Sequence, residues 1–445
     1  MIPRRPTVRP ASPWRFPQPA TTNLDNGLAV DCFDLPGQAV IAITLLVDAP
    51  LTAEPREFEG VSSLTMHALD EGTASHPGAA LTDSMESCGA VTAGAGARLN
   101  GAHLAVEVPA SRLVEVLPLV AELVIEPAFA PDDVARLVDD RLLSIATGEA
   151  SPPVCATKAL YANLGDHRLA RPVGGDAETV ARLDQATLQD WHQAAIRPER
   201  LRVIMAGDLP PETVDAVAAV FGGWQPSPSR VLADDLPLPP VPTRQVVVVD
   251  RPSATQVSLR LGTLTPSRPH PDWPALQVAN AVVGSMFGSR LNQVLREERG
   301  LTYGASSGLG PTRNGAVFMA QAECLADAAA EATRLCLDLL DVTAAPITDA
   351  ETRDAIAYIT GATPLRLDTA DAIAAQAAEF ALGGVRPGWF DDYMSAIRRV
   401  TADDATAAFA RHVQPSNLLV ALCGPAEMLA PQLESVGLIA TVSSV

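Results

Sequence analysis

The chain repeats itself at a spacing of 217 residues, and that repeat limits its architecture more than any other feature. Val40-Ile-Ala-Ile-Thr-Leu-Leu reads as a buried strand of β-branched and apolar residues, and Val257-Ser-Leu-Arg-Leu-Gly-Thr reads alike (257 − 40 = 217). Ala130-Pro-Asp-Asp opens a helix with acidic first-turn residues, as does Ile347-Thr-Asp-Ala (347 − 130 = 217). Pro198-Glu-Arg-Leu-Arg-Val-Ile-Met-Ala-Gly and Pro415-Ser-Asn-Leu-Leu-Val-Ala-Leu-Cys-Gly each run proline, strand, glycine (415 − 198 = 217). Three matches at one offset imply two similar halves of about 200 residues, a duplicated domain rather than a solenoid of short units.

Within each half, strands come first, then amphipathic helices, then a closing strand. Leu113, Val116, Leu117, Val120 and Leu123 stand at helical spacing, and Ala329 to Leu340 is similar. The expected fold is α+β: two homologous domains, each a largely antiparallel sheet covered by helices. The expected boundaries are a Pro/Arg-rich flexible arm over 1–22, a domain over 23–225, a linker over 226–245 and a second domain over 246–445. The linker reading rests on Pro226-Ser-Pro-Ser and Leu236-Pro-Leu-Pro-Pro-Val-Pro242, whose proline density favours extended chain.

Composition excludes several roles. The 32 Lys and Arg against 52 Asp and Glu give a net charge of −20, a field that repels nucleic acid. No stretch approaches the roughly 20 apolar residues of a membrane span. The arginine- and proline-rich start has no apolar core of the kind a secretory signal needs. Six cysteines, Cys32, Cys88, Cys155, Cys324, Cys336 and Cys423, form no close pair, which argues against a disulfide framework or a zinc ribbon. A reducing, cytoplasmic compartment is the expectation.

Two segments carry candidate chemistry. In Gly60-Val-Ser-Ser-Leu-Thr-Met-His-Ala-Leu-Asp-Glu-Gly-Thr73, residues Val61, Leu64, Ala68 and Leu69 make a helical apolar face that stops at Gly72. Ser63 and His67 fall one turn apart on one face, where metal ligands on a helix must sit. In Val283-Gly-Ser-Met-Phe-Gly-Ser-Arg-Leu-Asn-Gln-Val-Leu-Arg-Glu-Glu-Arg-Gly-Leu-Thr-Tyr-Gly304, residues Leu291, Val294 and Leu295 make an apolar stripe ending at Gly300, and a strand follows from Leu301 to Ser307. Gly284 and Gly288 are not followed by the Lys-Ser/Thr pair of a phosphate loop, so tight packing or close substrate approach accounts for them better.

These segments resemble the pitrilysin (insulinase-like) metallopeptidases, a family that includes the mitochondrial processing peptidases. The family's inverted zinc motif, H-x-x-E-H, sits in a G-x-x-H-x-x-E-H-x-x-x-x-G-T frame. Here the frame stands at Gly60, Gly72 and Thr73, while Ser63 replaces the first ligand and Met66 the general base. His67 keeps the second ligand position, and Ser144 falls where a third, glutamate, ligand is expected. One imidazole cannot hold catalytic zinc, which needs three protein ligands and an open position. A thioether cannot accept a proton from water. No metal is expected in this chain.

The second segment resembles the family's S-R-L-x-x-x-L-R-x-x-x-G-L-x-Y signature. The resemblance implies that Arg296 holds a substrate carbonyl with its fork of donors. It implies that Tyr303 donates a hydrogen bond to the oxyanion forming on the scissile carbonyl. It also implies that an edge strand near Gly94-Ala-Gly-Ala-Arg-Leu-Asn100 and His103 to Val108 pairs with extended peptide, which makes Asn100 and His103 candidate substrate-binding residues; Gly284 and Gly288 join them through the close substrate approach their size allows.

The functional expectation is a catalytically incomplete subunit of a heterodimeric zinc metalloendopeptidase, with zinc in a homologous partner and peptides or leaders as substrate. A peptide-binding or scaffold pseudo-peptidase is the alternative, and a homodimer is possible for the isolated chain.

Overall fold

The structure is a computed structural model that describes residues 14–226, 228–233, 235–386 and 388–443. Most of the expected arm, residues 1–13, lies outside the described residues. The first half contributes β1 (Ala20–Asn23), β2 (Ala29–Asp34), β3 (Val40–Val47), β4 (Val91–Arg98), β5 (Gly101–Pro109) and β6 (Leu201–Gly207). The second contributes β7 (Val246–Asp250), β8 (Gln256–Thr265), β9 (Thr302–Pro311), β10 (Ala316–Leu325), β11 (Leu419–Gly424) and β12 (Thr441–Ser443).

The two sheets have orders β1-β2-β6-β3-β5-β4 and β12-β7-β11-β8-β10-β9. Five positions correspond, and the sixth does not. In the first sheet β1 pairs antiparallel with β2, whereas in the second the chain's last strand, β12, lies parallel to β7. The sheets are mixed: besides β12 with β7, β2 is parallel to β6 and β7 to β11, and the remaining pairings are antiparallel. The fold is therefore the expected duplicated α+β arrangement.

Each sheet is buried on both faces, and the covering is reciprocal. One face of the first sheet carries that half's own helices: Leu45, Leu104 and Val203 share a core with Leu64, Met66, Val116 and Val120. The opposite face is covered by the Ala370–Leu382 helix of the second half, whose Ala370, Ile373, Ala374 and Ala377 meet Ala42, Leu46, Ile204 and Ala206. The Pro152–Ala162 helix of the first half returns the favour, setting Leu160 against Leu264, Val317, Leu419 and Ala421, and Ala156 against Val249 and Cys423. Burial on both faces explains why Val40 to Val47 and Val246 to Val249 are apolar runs rather than alternating strands. With apolar side chains of both halves interleaved, the halves form one body.

The proline-rich segment has neither helix nor strand among its described residues between Phe221 and Val246. It is nonetheless anchored, because Asp235 accepts hydrogen bonds from Thr52, Asn100 and Asn314. Among the described residues, no helix is long and apolar enough to cross a membrane.

Candidate functional site

The Val61–Ala68 helix carries the degenerate motif, and the frame around it serves the backbone. Gly60 has φ 101°, and a Cβ there would stand 2.8 Å from the Gly174 carbonyl carbon. Gly72 has φ 131°, with Gly78 N only 2.3 Å from the place a Cβ would take. Both positions demand glycine for left-handed conformation and close approach. Thr73 is fully buried, donating to Glu122 at 2.9 Å and accepting from His76 N at 2.9 Å. The frame is thus a folding requirement that survives independently of the chemistry it surrounds.

A buried ion network fixes the start of this helix. Glu54 accepts from Ser62 N at 2.9 Å and pairs with Arg168 at 2.8 Å, both side chains being almost wholly out of solvent. Arg168 spends its remaining donors on the carbonyls of Arg171, Pro172 and Val173, and Arg171 clamps Glu59. Burial pushes the Glu54 carboxyl up, against the opposing pull of the Arg168 charge and the Ser62 hydrogen bond.

The donor set on this helix does not fit zinc. Met66 points into the core at 2 % exposure, and a thioether lodged there is neither ligand nor base. Ser63 is half-buried, His67 is exposed, and Ser144 lies exposed on the Pro131–Glu149 helix. One imidazole and two hydroxyls do not make a catalytic zinc site. Among the described residues, the group that could gather three metal-type ligands is elsewhere, at His270, Asp272 and His412. Those atoms are already engaged. Asp272 takes His412 at 2.7 Å and Arg411 at 2.5 Å through one oxygen, and His270 Nδ1 accepts from Asp272 N at 3.1 Å. They clasp the end of the Ala402–His412 helix to the start of the Trp273–Asn280 helix.

The second segment builds an outward-facing site. Two widened, π-helical turns, Ala281–Ser285 and Asn292–Glu298, flank the loop at Phe287 and Gly288, and such turns are frequent at functional sites. Arg290, in the Ser-Arg-Leu part of the signature, is the anchor. It grips Glu351 with two hydrogen bonds of 2.7 and 2.8 Å and the carbonyls of Ala345 and Pro346 at 2.6 and 2.9 Å. Asn292 accepts from Ala305 N at 2.9 Å, and Asn280 from Ser307 Oγ at 2.6 Å, tying both turns to β9.

Arg296 and Tyr303 stand on this braced platform. The Arg296 guanidinium lies over the Phe287 ring, 5.0 Å from its centre, with Glu297 at 3.5 Å. Tyr303 is 94 % exposed. Between Ala322↔Ala305 and Cys324↔Thr302 the β9–β10 register shifts, so Tyr303 and Gly304 share the place opposite Glu323. Such a bulge re-aims a side chain, and β9 is a sheet edge. No hydrogen bond joins Arg296 to Tyr303 among the described residues, so both remain open to an outside acceptor.

The remaining candidates fall elsewhere. Asn100, 6 % exposed, donates to Asp235 at 2.7 Å and accepts from Arg313 N at 2.8 Å, so its amide ties the first half to the linker at one end and to the second half at the other. His103 lies in β5, an interior strand between β3 and β4, and its neighbours Leu46 and Glu379 belong to the side covered by the second half's helix. Burial lowers its pKa. The edge strand is β4 instead. A Cβ on Gly284 would meet Ser307 Oγ at 2.2 Å, which makes it a packing glycine, whereas Gly288 is exposed with open space around it. The sequence reading missed Phe287, Arg290 and Asn292. Phe287, an aromatic set between small residues in Gly-Ser-Met-Phe-Gly-Ser, was the available signal for the first.

A duplicated α+β fold with a degenerate motif helix in one half and an exposed arginine–tyrosine platform in the other defines a peptidase-like protein whose own residues do not complete a zinc centre. The description "Insulinase (Peptidase family M16)" matches residues 34–177, and "Peptidase M16 inactive domain" matches residues 182–359. The chain belongs to the M16, insulinase-type, peptidase family. A protein named an uncharacterized zinc protease from Mycobacterium tuberculosis is 28 % identical over 95 % of this chain and 96 % of its own length. Cytochrome b-c1 complex subunit 1 of Rattus norvegicus is 25 % identical over 60 % of this chain and 56 % of its own. The crystal structure of a peptidase M16 inactive domain from Pseudomonas fluorescens superposes with TM-score 0.84 at 25 % identity, covering 92 % of this chain and 98 % of that one.

Proposed function

We propose that this chain is the non-zinc subunit of a two-chain metalloendopeptidase that cleaves peptides or leader segments in a reducing, cytoplasmic compartment. The observation that carries the reading is the exposed Tyr303 at a β-bulge and, seven residues before it, an Arg296 held over Phe287, both turned outward from their own chain. A homologous partner supplies the metal ligands and the base, which the Ser63, Met66, His67 and Ser144 positions do not. Arg296 orients an extended peptide by a carbonyl, and Tyr303 donates to the oxygen on which negative charge grows during attack. The negative net charge fits a preference for basic peptides.

The test is peptide cleavage by this chain, by a zinc-motif homologue from the same genome, and by the mixture, each with and without chelator. The reading expects activity in the mixture alone, lost with chelator and cut sharply by Arg296→Ala or Tyr303→Phe. A stable complex without cleavage, or full activity with both residues replaced, overturns it.

A second reading, a scaffold or peptide-binding pseudo-peptidase, is supported by the similarity to the cytochrome b-c1 subunit. It expects peptide binding or assembly that both substitutions leave unchanged.

A further inference from the structure

Two cysteines 268 positions apart in sequence (423 − 155) meet where the halves exchange helices. Cys155 lies in the first turns of the Pro152–Ala162 helix, and Cys423 lies on β11 of the second sheet. They share a small buried cluster with Ala156 and Val249, and Cys155 is the nearest sulfur partner of the Cys423 thiol. A cation accompanies them. Arg251, directly after β7, brings Nη2 within 3.4 Å of Cys155 Sγ and also to the carbonyl of Glu149. The Cys155 thiol donates to the same carbonyl at 3.2 Å.

The other four cysteines lack this arrangement. Cys32 is pushed up to about 11 by burial and by Asp31, and Cys324 to about 12 by burial and then by Glu323 and Asp327. Cys336 is likewise raised to about 12 by burial. Cys88 is half-exposed, packs against the edge of the first half's core and lies 3.9 Å from the Ser87 hydroxyl. Cys155 has the Arg251 guanidinium 3.4 Å from its sulfur and keeps 5 % exposure where Cys423 has none, so Cys155 is the sulfur an oxidant meets first. Burial holds Cys423 as a thiol, pushed up to about 11, which suits a second, resolving sulfur.

We propose that Cys155 and Cys423 are a peroxide-oxidised pair whose disulfide staples the first half's Pro152–Ala162 helix to the second half's sheet. The Cys155 thiolate attacks a hydroperoxide oxygen. The S–O bond forms, the O–O bond breaks, and the released hydroxide takes up the proton the thiol shed, giving water. Cys423 sulfur then attacks the Cys155 sulfenic acid. The S–S bond forms, the S–O bond breaks, and the leaving hydroxide takes the Cys423 proton as a second water. Two thiols are oxidised and one peroxide is reduced. The closed loop spans most of the second half, so oxidation is expected to raise thermal stability.

The test is treatment of the full reduced chain with equimolar hydrogen peroxide, followed by intact mass, non-reducing peptide mapping and thermal melting. The expected result is the loss of two hydrogens, a linked peptide pair containing Cys155 and Cys423, and a higher Tm that dithiothreitol reverses. Cys423→Ser is expected to stop at a sulfenic acid on Cys155 that dimedone traps, with no rise in Tm. Arg251→Met is expected to slow formation of the linked pair, because it removes the guanidinium that stands 3.4 Å from Cys155 Sγ. Overoxidation of Cys155 without the linked pair, a linkage through any other cysteine, or an unreacted pair while Cys88 is oxidised overturns the proposal.

Discussion

The Arg296 guanidinium lies 5.0 Å from the centre of the Phe287 ring, and Phe287 is itself 75 % exposed. An aromatic ring left in water to face a cation limits the directions the arginine can take. A cation–π contact of this exposed kind contributes about 0.5–1 kcal/mol. Phe287→Ala is therefore expected to lower kcat/KM of the assembled enzyme about two- to fivefold. Phe287→Tyr is expected to retain full activity, and steady-state kinetics on the mixture would separate the two.

Tyr303 faces solvent and makes no hydrogen bond among the described residues, so its hydroxyl has little to do in folding. Loss of one donor to a developing oxyanion costs about 10²-fold in kcat. Tyr303→Phe should show that loss with unchanged KM, unchanged melting temperature and unchanged assembly by size-exclusion chromatography. A change in KM or assembly in place of kcat would assign the hydroxyl to binding.

Arg290 holds the signature loop by its two hydrogen bonds to Glu351, and those bonds bring the Glu351 carboxyl down to about 2. A carboxyl depressed in the folded state contributes stability above its ordinary value of 4.5, and the contribution is lost as pH falls from there toward 2. With both side chains partly screened by solvent, the contribution is about 1 kcal/mol. Denaturant titrations should show Glu351→Gln less stable than wild type near neutrality and the gap narrowing by about pH 3. Arg290→Ala should lower activity more than Glu351→Gln, because it also releases the Ala345 and Pro346 carbonyls.

Gly284 and Gly288, both candidate substrate contacts in sequence, separate in the structure. A methyl group at Gly284 would collide with Ser307 Oγ at 2.2 Å, whereas one at Gly288 meets nothing within 4 Å. Overpacking of this kind costs about 1–3 kcal/mol. Gly284→Ala should lower the melting temperature and weaken activity through the displaced loop, while Gly288→Ala should leave stability intact and report only on peptide binding.

The Glu54–Arg168 pair lies beneath the degenerate motif helix with side-chain exposures of 0 and 3 %. Removing one partner strands the other's charge, at a cost of about 3–5 kcal/mol. Arg168→Met should therefore destabilise strongly, and adding Glu54→Gln should recover part of the loss. Equal melts for the single and double variants would show that the arginine acts through its three carbonyl contacts instead.

Duplication was legible because matching strands and prolines recur at a fixed interval. The Leu113–Ile125 and Ala329–Leu340 helices were legible from their apolar spacing. The incomplete metal motif was plain from residue type, since no folding turns Ser63 or Met66 into a ligand. Asn100 stands in the turn before β5 and His103 within it, and whether such a strand lies at an edge or in the interior depends on pairing with distant residues. β4 takes the edge and β5 does not, and only the sheet order decides that.

Local chemistry in this protein is written in the sequence: the glycines that left-handed turns require, the loss of ligand and base, and the arginine and tyrosine of the signature. The tertiary structure decided everything that depends on long-range pairing. It buried one face of each sheet under a helix of the other half, re-aimed Tyr303 with a bulge, braced Arg290 on Glu351, and brought Cys155 to Cys423. A side chain's type fixes what it can do, whereas its partners are chosen by contacts between segments hundreds of residues apart, which no local pattern encodes.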